Sequence, residues 1–165
     1  MYEKFGQFID GKWQASSNKE TYEVINPANE EVIGLASKAT PEDVDRALKS
    51  AEKGLEVWKK TSPWKRSSVI RKIADLIRAK QDVLAKWITL EVGKPFLEGK
   101  GEVGATADIF EWNSEETKRI YGQTVESRFE DTRIHVYYQP IGVVAAMSPW
   151  NFPLVLSGRK ISTAL

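Results

Sequence analysis

One run of residues limits the fold more than any other. IGVVAAM, residues 141–147, is short, almost wholly apolar and does not alternate. That is the pattern of a strand buried on both faces of a parallel sheet. It passes through SPWNFP into PLVLSGRKISTAL, residues 153–165, which reads as a helix opening at Pro153. A buried parallel strand cannot stand alone, because it needs neighbours and crossover connections. The expectation is therefore one βα step, residues 140–165, of a larger α/β sheet, with the sequence stopping inside that domain.

Upstream, the signals are local. FIDGKW (8–13) predicts a hairpin with Asp10-Gly11 at its turn. TYEVINP (21–27) alternates as a strand, PANEE (27–31) reads as a turn, and EVIGLAS (31–37) as a further strand. The period then lengthens. Thr40 as N-cap, Pro41 at the first helical position and the acids Glu42 and Asp43 open a helix. Val44, Ala47, Leu48, Ala51, Leu55 and Trp58 form its apolar face. Ser62 and Pro63 start a second helix that turns Val69, Ile70, Ile73, Ala74 and Ile77 inward, and residues 81–93 form a third, closed by Gly93. A fourth is expected from Pro95 to Tyr121 with Gly122 as its cap. Gly99, Gly101 and Gly104 oppose it at about 1 kcal/mol each, which suggests close backbone packing there. QTVESR (123–128) and TRIHVYYQ (132–139) predict an exposed two-stranded ribbon around FEDT, an edge in search of a partner.

Composition excludes several classes. With 24 basic and 23 acidic residues the net charge is +1, which offers no basic face for nucleic acid or an anionic membrane. No run approaches the roughly 18 apolar residues of a membrane span. The N-terminus MYEKFGQFIDGKW shows no leader pattern, so a cytoplasmic location is expected. There is no cysteine and one histidine, so thiolate sites are absent from these residues and His135 reads as a packing or surface residue.

The chemistry-bearing candidate is MSPWNFPL, residues 147–154. At the carboxyl end of a parallel strand, beside a helix N-terminus with free N–H groups, it occupies the usual ligand position of doubly wound folds. The neutral amide of Asn151 could donate to a developing oxyanion but could not act as a base. On local chemistry alone, a cap-and-turn role for Asn151 is the more common one. No GxGxxG, phosphate-binding loop or carboxylate pair adds weight.

FIDGKW, INPANEEVIG, TPEDVDRAL, LEVGKP, EWNSEETKRIYG, QPIGVVAAMSPWNFPL and GRKISTAL, in this order and spacing, resemble the N-terminal third of an aldehyde dehydrogenase. EW…EE.KRIYG and RKISTAL are most similar to the succinate-semialdehyde and 2-oxoglutarate-semialdehyde dehydrogenase branch. The resemblance implies an α/β fold with an incomplete Rossmann-like cofactor domain. Residues 1–122 would be its strands and helical block, 123–139 an oligomerisation arm, and 140–165 the first βα step. It implies NAD or NADP as cofactor, an aldehyde with a distal carboxylate as substrate, and a homo-oligomer, dimer or tetramer.

It also implies a mechanism. A cysteine attacks the aldehyde, the motif's asparagine (here Asn151) and a backbone N–H hold the resulting oxyanion, hydride passes to the nicotinamide, and a glutamate activates water against the thioester. Met147, Ser148, Pro149, Trp150 and Asn151 would line the cofactor groove, and Arg159 would grip the distal carboxylate. The cysteine, the glutamate and the adenosine-binding lysine stretch have no counterpart before Leu165. The 165 residues alone are therefore expected to give no turnover. The alternative is a non-catalytic segment that assembles with full-length subunits through its ribbon.

Overall fold

The computed structural model describes residues 6–165; the leading MYEKF lies outside them. Its strands form three separate antiparallel pairs. β1 (Gln7–Ile9) pairs with β2 (Lys12–Gln14), β3 (Thr21–Ile25) with β4 (Val32–Ser37), and β5 (Gln123–Glu126) with β6 (Arg133–Val136). Between them lie α1 (Pro41–Trp58), α2 (Pro63–Ala79), α3 (Gln81–Val92) and α4 (Phe96–Glu116), and α5 (Pro153–Ala164) closes the chain. The class is mixed α/β, as expected.

The punctuation read from sequence holds. Asp10 and Gly11 sit at φ 54° and 73°, the two positive values a tight hairpin turn requires. Thr40 and Asp43 form a reciprocal capping box on α1, and Ser62 caps α2 through the Lys65 N–H. Gly93 ends α3 in the left-handed region at φ 74°. A Cβ there would also stand 3.1 Å from Pro27 Cγ, so the same glycine seats the β3–β4 turn against the helical block.

Asp43 ties the first hairpin to α1. Its buried carboxylate accepts from the N–H of Thr40 (3.0 Å) and Ser17 (3.1 Å), from Gln7 Nε2 (3.2 Å) and from Arg46 (2.5 Å). The Thr40 N–H leads these bonds in holding the carboxyl well below the ordinary aspartate value of 3.8, against the opposing pull of burial. A depressed folded-state pKa stabilises the fold above the unfolded value, and that contribution is lost as pH falls toward the folded one. Acid unfolding should therefore steepen below pH about 4, the free aspartate range. In Asp43→Asn, a pH titration of unfolding midpoints should lose part of this acid limb. An identical limb in the variant would assign it to other carboxylates.

The core is helical and centres on α4. Ile70 and Ala74 of α2 meet Phe110, with Trp58, Ile73 and Ile77 around them. Ala85 and Ile88 of α3 meet Val103, with Leu84 and Leu154 alongside. Gly99 lets α4 approach α3, since a Cβ there would lie 3.1 Å from the Ala85 carbonyl oxygen. Gly101 faces open space, so the close-packing expectation holds for Gly99 and not for Gly101. Covered by α2, α3 and α5, α4 has no single apolar stripe and buries Glu102, Thr106 and Ser114 as well as Val103 and Phe110. Thr106 and Ser114 donate to backbone carbonyls one turn earlier.

Three expectations are corrected, and one apolar face that the sequence located is left uncovered. First, α4 ends at Glu116 and a 3₁₀ turn covers Thr117–Arg119, so Gly122 caps nothing. Its backbone instead runs against Val136, whose carbonyl oxygen would lie 2.6 Å from an added Cβ. Second, Val69 is exposed rather than inward. The uncovered apolar face is that of α1, with Val44 and Leu48 about half exposed. Third, residues 141–147 form no strand. No described strand lies beside this run to form a ladder with it, and its Ile141, Val143 and Val144 stay exposed. The accessible surface, 11883 Å² for 18.7 kDa, measures the same openness. A compact monomer of that mass exposes about 8,300 Å².

Candidate functional site

The corner at 147–152 takes its position from α5. Ser157, in the second turn, donates to the Pro153 carbonyl (2.8 Å), leaving its oxygen to accept from Ser148 (2.6 Å). Pro153 occupies the first helical position, and Phe152, not Asn151, is the N-cap residue, with no side-chain cap bond. Asn151 is exposed, and its amide makes no hydrogen bond among the described residues. The capping role that local chemistry favoured is thus not the one it fills. Met147 and Trp150 are 82% and 77% exposed, so neither is a core residue.

The helix N-terminus beside this corner is not free, contrary to expectation. Glu102 Oε1 accepts from the N–H of Leu154 (2.9 Å) and Val155 (3.1 Å). Leu156 N–H donates to the Phe152 carbonyl (3.2 Å), and Pro153 has no N–H to offer. The donors that could have held an anion are therefore filled from within the chain. The other Glu102 oxygen lies 2.5 Å from Lys94 Nζ, and that ammonium stands 3.7 Å from the centre of the Phe152 ring. Glu102 is buried and Lys94 nearly so. Neither residue was singled out from sequence. The usable signal was an acid among the small residues of a glycine-containing helix, together with a lysine placed directly after the Gly93 cap.

α5 lies along α4 in the same direction. Glu102 meets its first turn, Thr106 and Phe110 meet Gly158, and Asn113 Nδ2 donates to the buried Ser162 hydroxyl (2.9 Å). At Gly158 a Cβ would fall 2.7 Å from Thr106 Cγ2, so the α5 backbone rests directly on the Thr106 and Phe110 side chains of α4. Arg159, next to this contact, is exposed, and its guanidinium has no ion pair among the described residues. It lies six residues into α5, about 9 Å along the axis from Pro153. The structure thus gathers Met147 to Asn151 at one corner and leaves Arg159 two turns away.

Other candidates carry less. An open apolar groove of about 410 Å³, lined by Leu55, Trp58, Val144, Ile161 and Leu165, contains no titratable side chain and none of the corner residues. His135 is exposed and meets Thr124 across the ribbon (3.2 Å), a surface role as expected. No three metal-ligating side chains cluster among the described residues. No helix there is long and apolar enough to cross a membrane.

Comparison with known proteins places these features. The profile of the Aldehyde dehydrogenase family matches residues 13–165. A succinate semialdehyde dehydrogenase of Acinetobacter baylyi is 43% identical over 157 residues, covering 95% of this chain and 32% of that protein. A glutarate-semialdehyde dehydrogenase of Pseudomonas aeruginosa is 42% identical over 158 residues, covering 96% and 33%. The crystal structure of an NADP-dependent enzyme of E. coli superposes with a TM-score of 0.93 at 38% identity, over 99% of this chain and 34% of that one. The chain spans about a third of the length of the curated relatives it matches.

Proposed function

The chain belongs to the aldehyde dehydrogenase family, and from that premise we propose that it supplies the oxyanion-holding corner of an enzyme that oxidises an aldehyde to a carboxylic acid. The aldehyde is a semialdehyde with a distal carboxylate, such as succinate semialdehyde, and the cofactor is NAD or NADP. The observation that carries this reading is Asn151 itself. Its amide is exposed, unbonded, and held on a corner anchored to a packed helix.

The chemistry follows from that amide. A thiolate adds to the carbonyl carbon and the π electrons move to oxygen, leaving an oxyanion. Asn151 Nδ2 donates a hydrogen bond to that oxygen, and being neutral it does so without taking a proton. A nicotinamide held at this corner would supply the acceptor for the hydride that leaves the carbon as the C=O re-forms, giving a thioester. Water then cleaves the thioester to give the acid and restore the thiol. These residues hold no cysteine, so the thiolate comes from elsewhere in the complete enzyme. The open corner of Met147, Ser148, Pro149, Trp150 and Asn151 fits a flat heteroaromatic cofactor, because Trp150 offers an uncovered face there.

Arg159 is proposed to bind the distal carboxylate. Its guanidinium is free of internal acids, and its planar fork suits a bidentate partner. In the complete enzyme, Arg159→Ala should raise KM for a carboxylated aldehyde about 10- to 100-fold, the range for a hydrogen bond to a charged group. KM for an uncharged aldehyde of equal length should change little. Equal effects on the two substrates would discard the assignment. The exposed β5–β6 ribbon is proposed to join subunits of a homo-oligomer, dimer or tetramer, with the cytoplasm as its site of action.

A further inference from the structure

We propose that Glu102, held by Lys94, is a positioning residue for Asn151: it fixes the first turn of α5 and thereby the corner from which the Asn151 amide reaches the oxyanion. The inference rests on the oxyanion role proposed above and adds two residues to it.

The geometry is specific. One carboxylate oxygen takes both N–H groups of Leu154 and Val155, three and four residues after Asn151. The other takes Lys94 Nζ at 2.5 Å. Lys94 in turn covers the ring of Phe152, the residue between Asn151 and the helix. The corner is thus gripped on both sides of residue 153, by the carboxylate on the helix and by the ammonium on the ring. Neither side chain hydrogen-bonds to Asn151, so both act on it through residues 152–155.

The placement costs stability unless every charge is satisfied, since a buried ion must be paired and hydrogen-bonded. Here Glu102 meets the positive end of the α5 dipole, two N–H donors and an ammonium together. A generic core position would be filled at lower risk by an apolar side chain. An acid here gains directional bonds, and direction is what an oxyanion donor needs. Sites of this kind must be held within about 0.5 Å, and a 1 Å misplacement costs about 10²-fold in rate.

The test is a double-mutant cycle in the complete enzyme. Glu102→Gln keeps one acceptor oxygen for the two N–H groups, loses the charge, and turns a donor toward Lys94. It should lower kcat about tenfold or more, within the misplacement range, with KM changed less than about twofold, and it should speed amide exchange at Leu154 and Val155. In an Asn151→Ala background the same change should lower kcat by less than about threefold, because the group being positioned is already gone. Equal losses in both backgrounds would overturn the inference and make Glu102 a general stabiliser. Should Glu102→Gln fail to fold, Lys94→Met leaves the carboxylate on its two N–H donors and should show the same coupling to Asn151; additive effects there would overturn it equally. If Asn151→Ala alone leaves kcat unchanged, the oxyanion role fails, and that result is read from the single variant before the cycle is closed.

Discussion

Asn151→Ala is expected to lower kcat by about 10²–10³ in the complete enzyme, the usual loss when one oxyanion donor is removed. The effect should fall on kcat with little change in KM, because the bond is strong only once negative charge has developed on the oxygen. The structure makes the prediction sharp. Asn151 caps no helix and makes no hydrogen bond among the described residues, so its truncation removes no internal hydrogen bond there. Stability should therefore stay within about 0.5 kcal/mol, as for an ordinary surface change. A variant with normal kcat would return Asn151 to shaping the turn. One that lost activity and stability together would point to the same structural role.

Phe110→Ala should be the most destabilising of the single changes, at about 3–5 kcal/mol. Phe110 is 4% exposed and stands between Ile70 and Ala74 of α2 and Gly158 of α5. Its loss leaves a void that the backbone of two helices must close. Gly158 contributes no side chain to fill it, and Thr106 on the same face is held by its bond to the Glu102 carbonyl. Total stability is typically 5–15 kcal/mol, so the change removes a large share of it. The check is the midpoint and slope of chemical unfolding for the variant against the parent. A loss under about 1 kcal/mol would mean that α5 settles into the space and that the α4–α5 contact is adaptable. Because the Asn151 corner is fixed through α5, such adaptability would also weaken the positioning role given to Glu102.

The corner was legible as a motif and wrong in one part of its local role. PWNFP stands apart by its prolines and its place after an apolar run. The cap assignment failed because Asn, Phe and Pro can each occupy the start of a helix, and the choice among them depends on where the preceding chain enters. Glu102 was invisible for a different reason. Its meaning lies in Leu154 and Val155, more than 50 residues away, and no spacing rule reaches that far.

By itself the sequence determined the local elements: the Asp10-Gly11 turn, the Thr40 and Ser62 caps, the Gly93 stop and the start of α5 at Pro153. Each depends on side chains and dihedral angles within about four residues, so a short window contains the whole cause. Tertiary structure alone decided what covers each apolar run. α4 became a central helix because three others surround it, and Glu102 became its buried anchor because α5 brought two N–H donors to it. Residues 141–147, apolar enough for a central strand, remain irregular because a strand is defined by the backbone beside it, and no described strand pairs with this run.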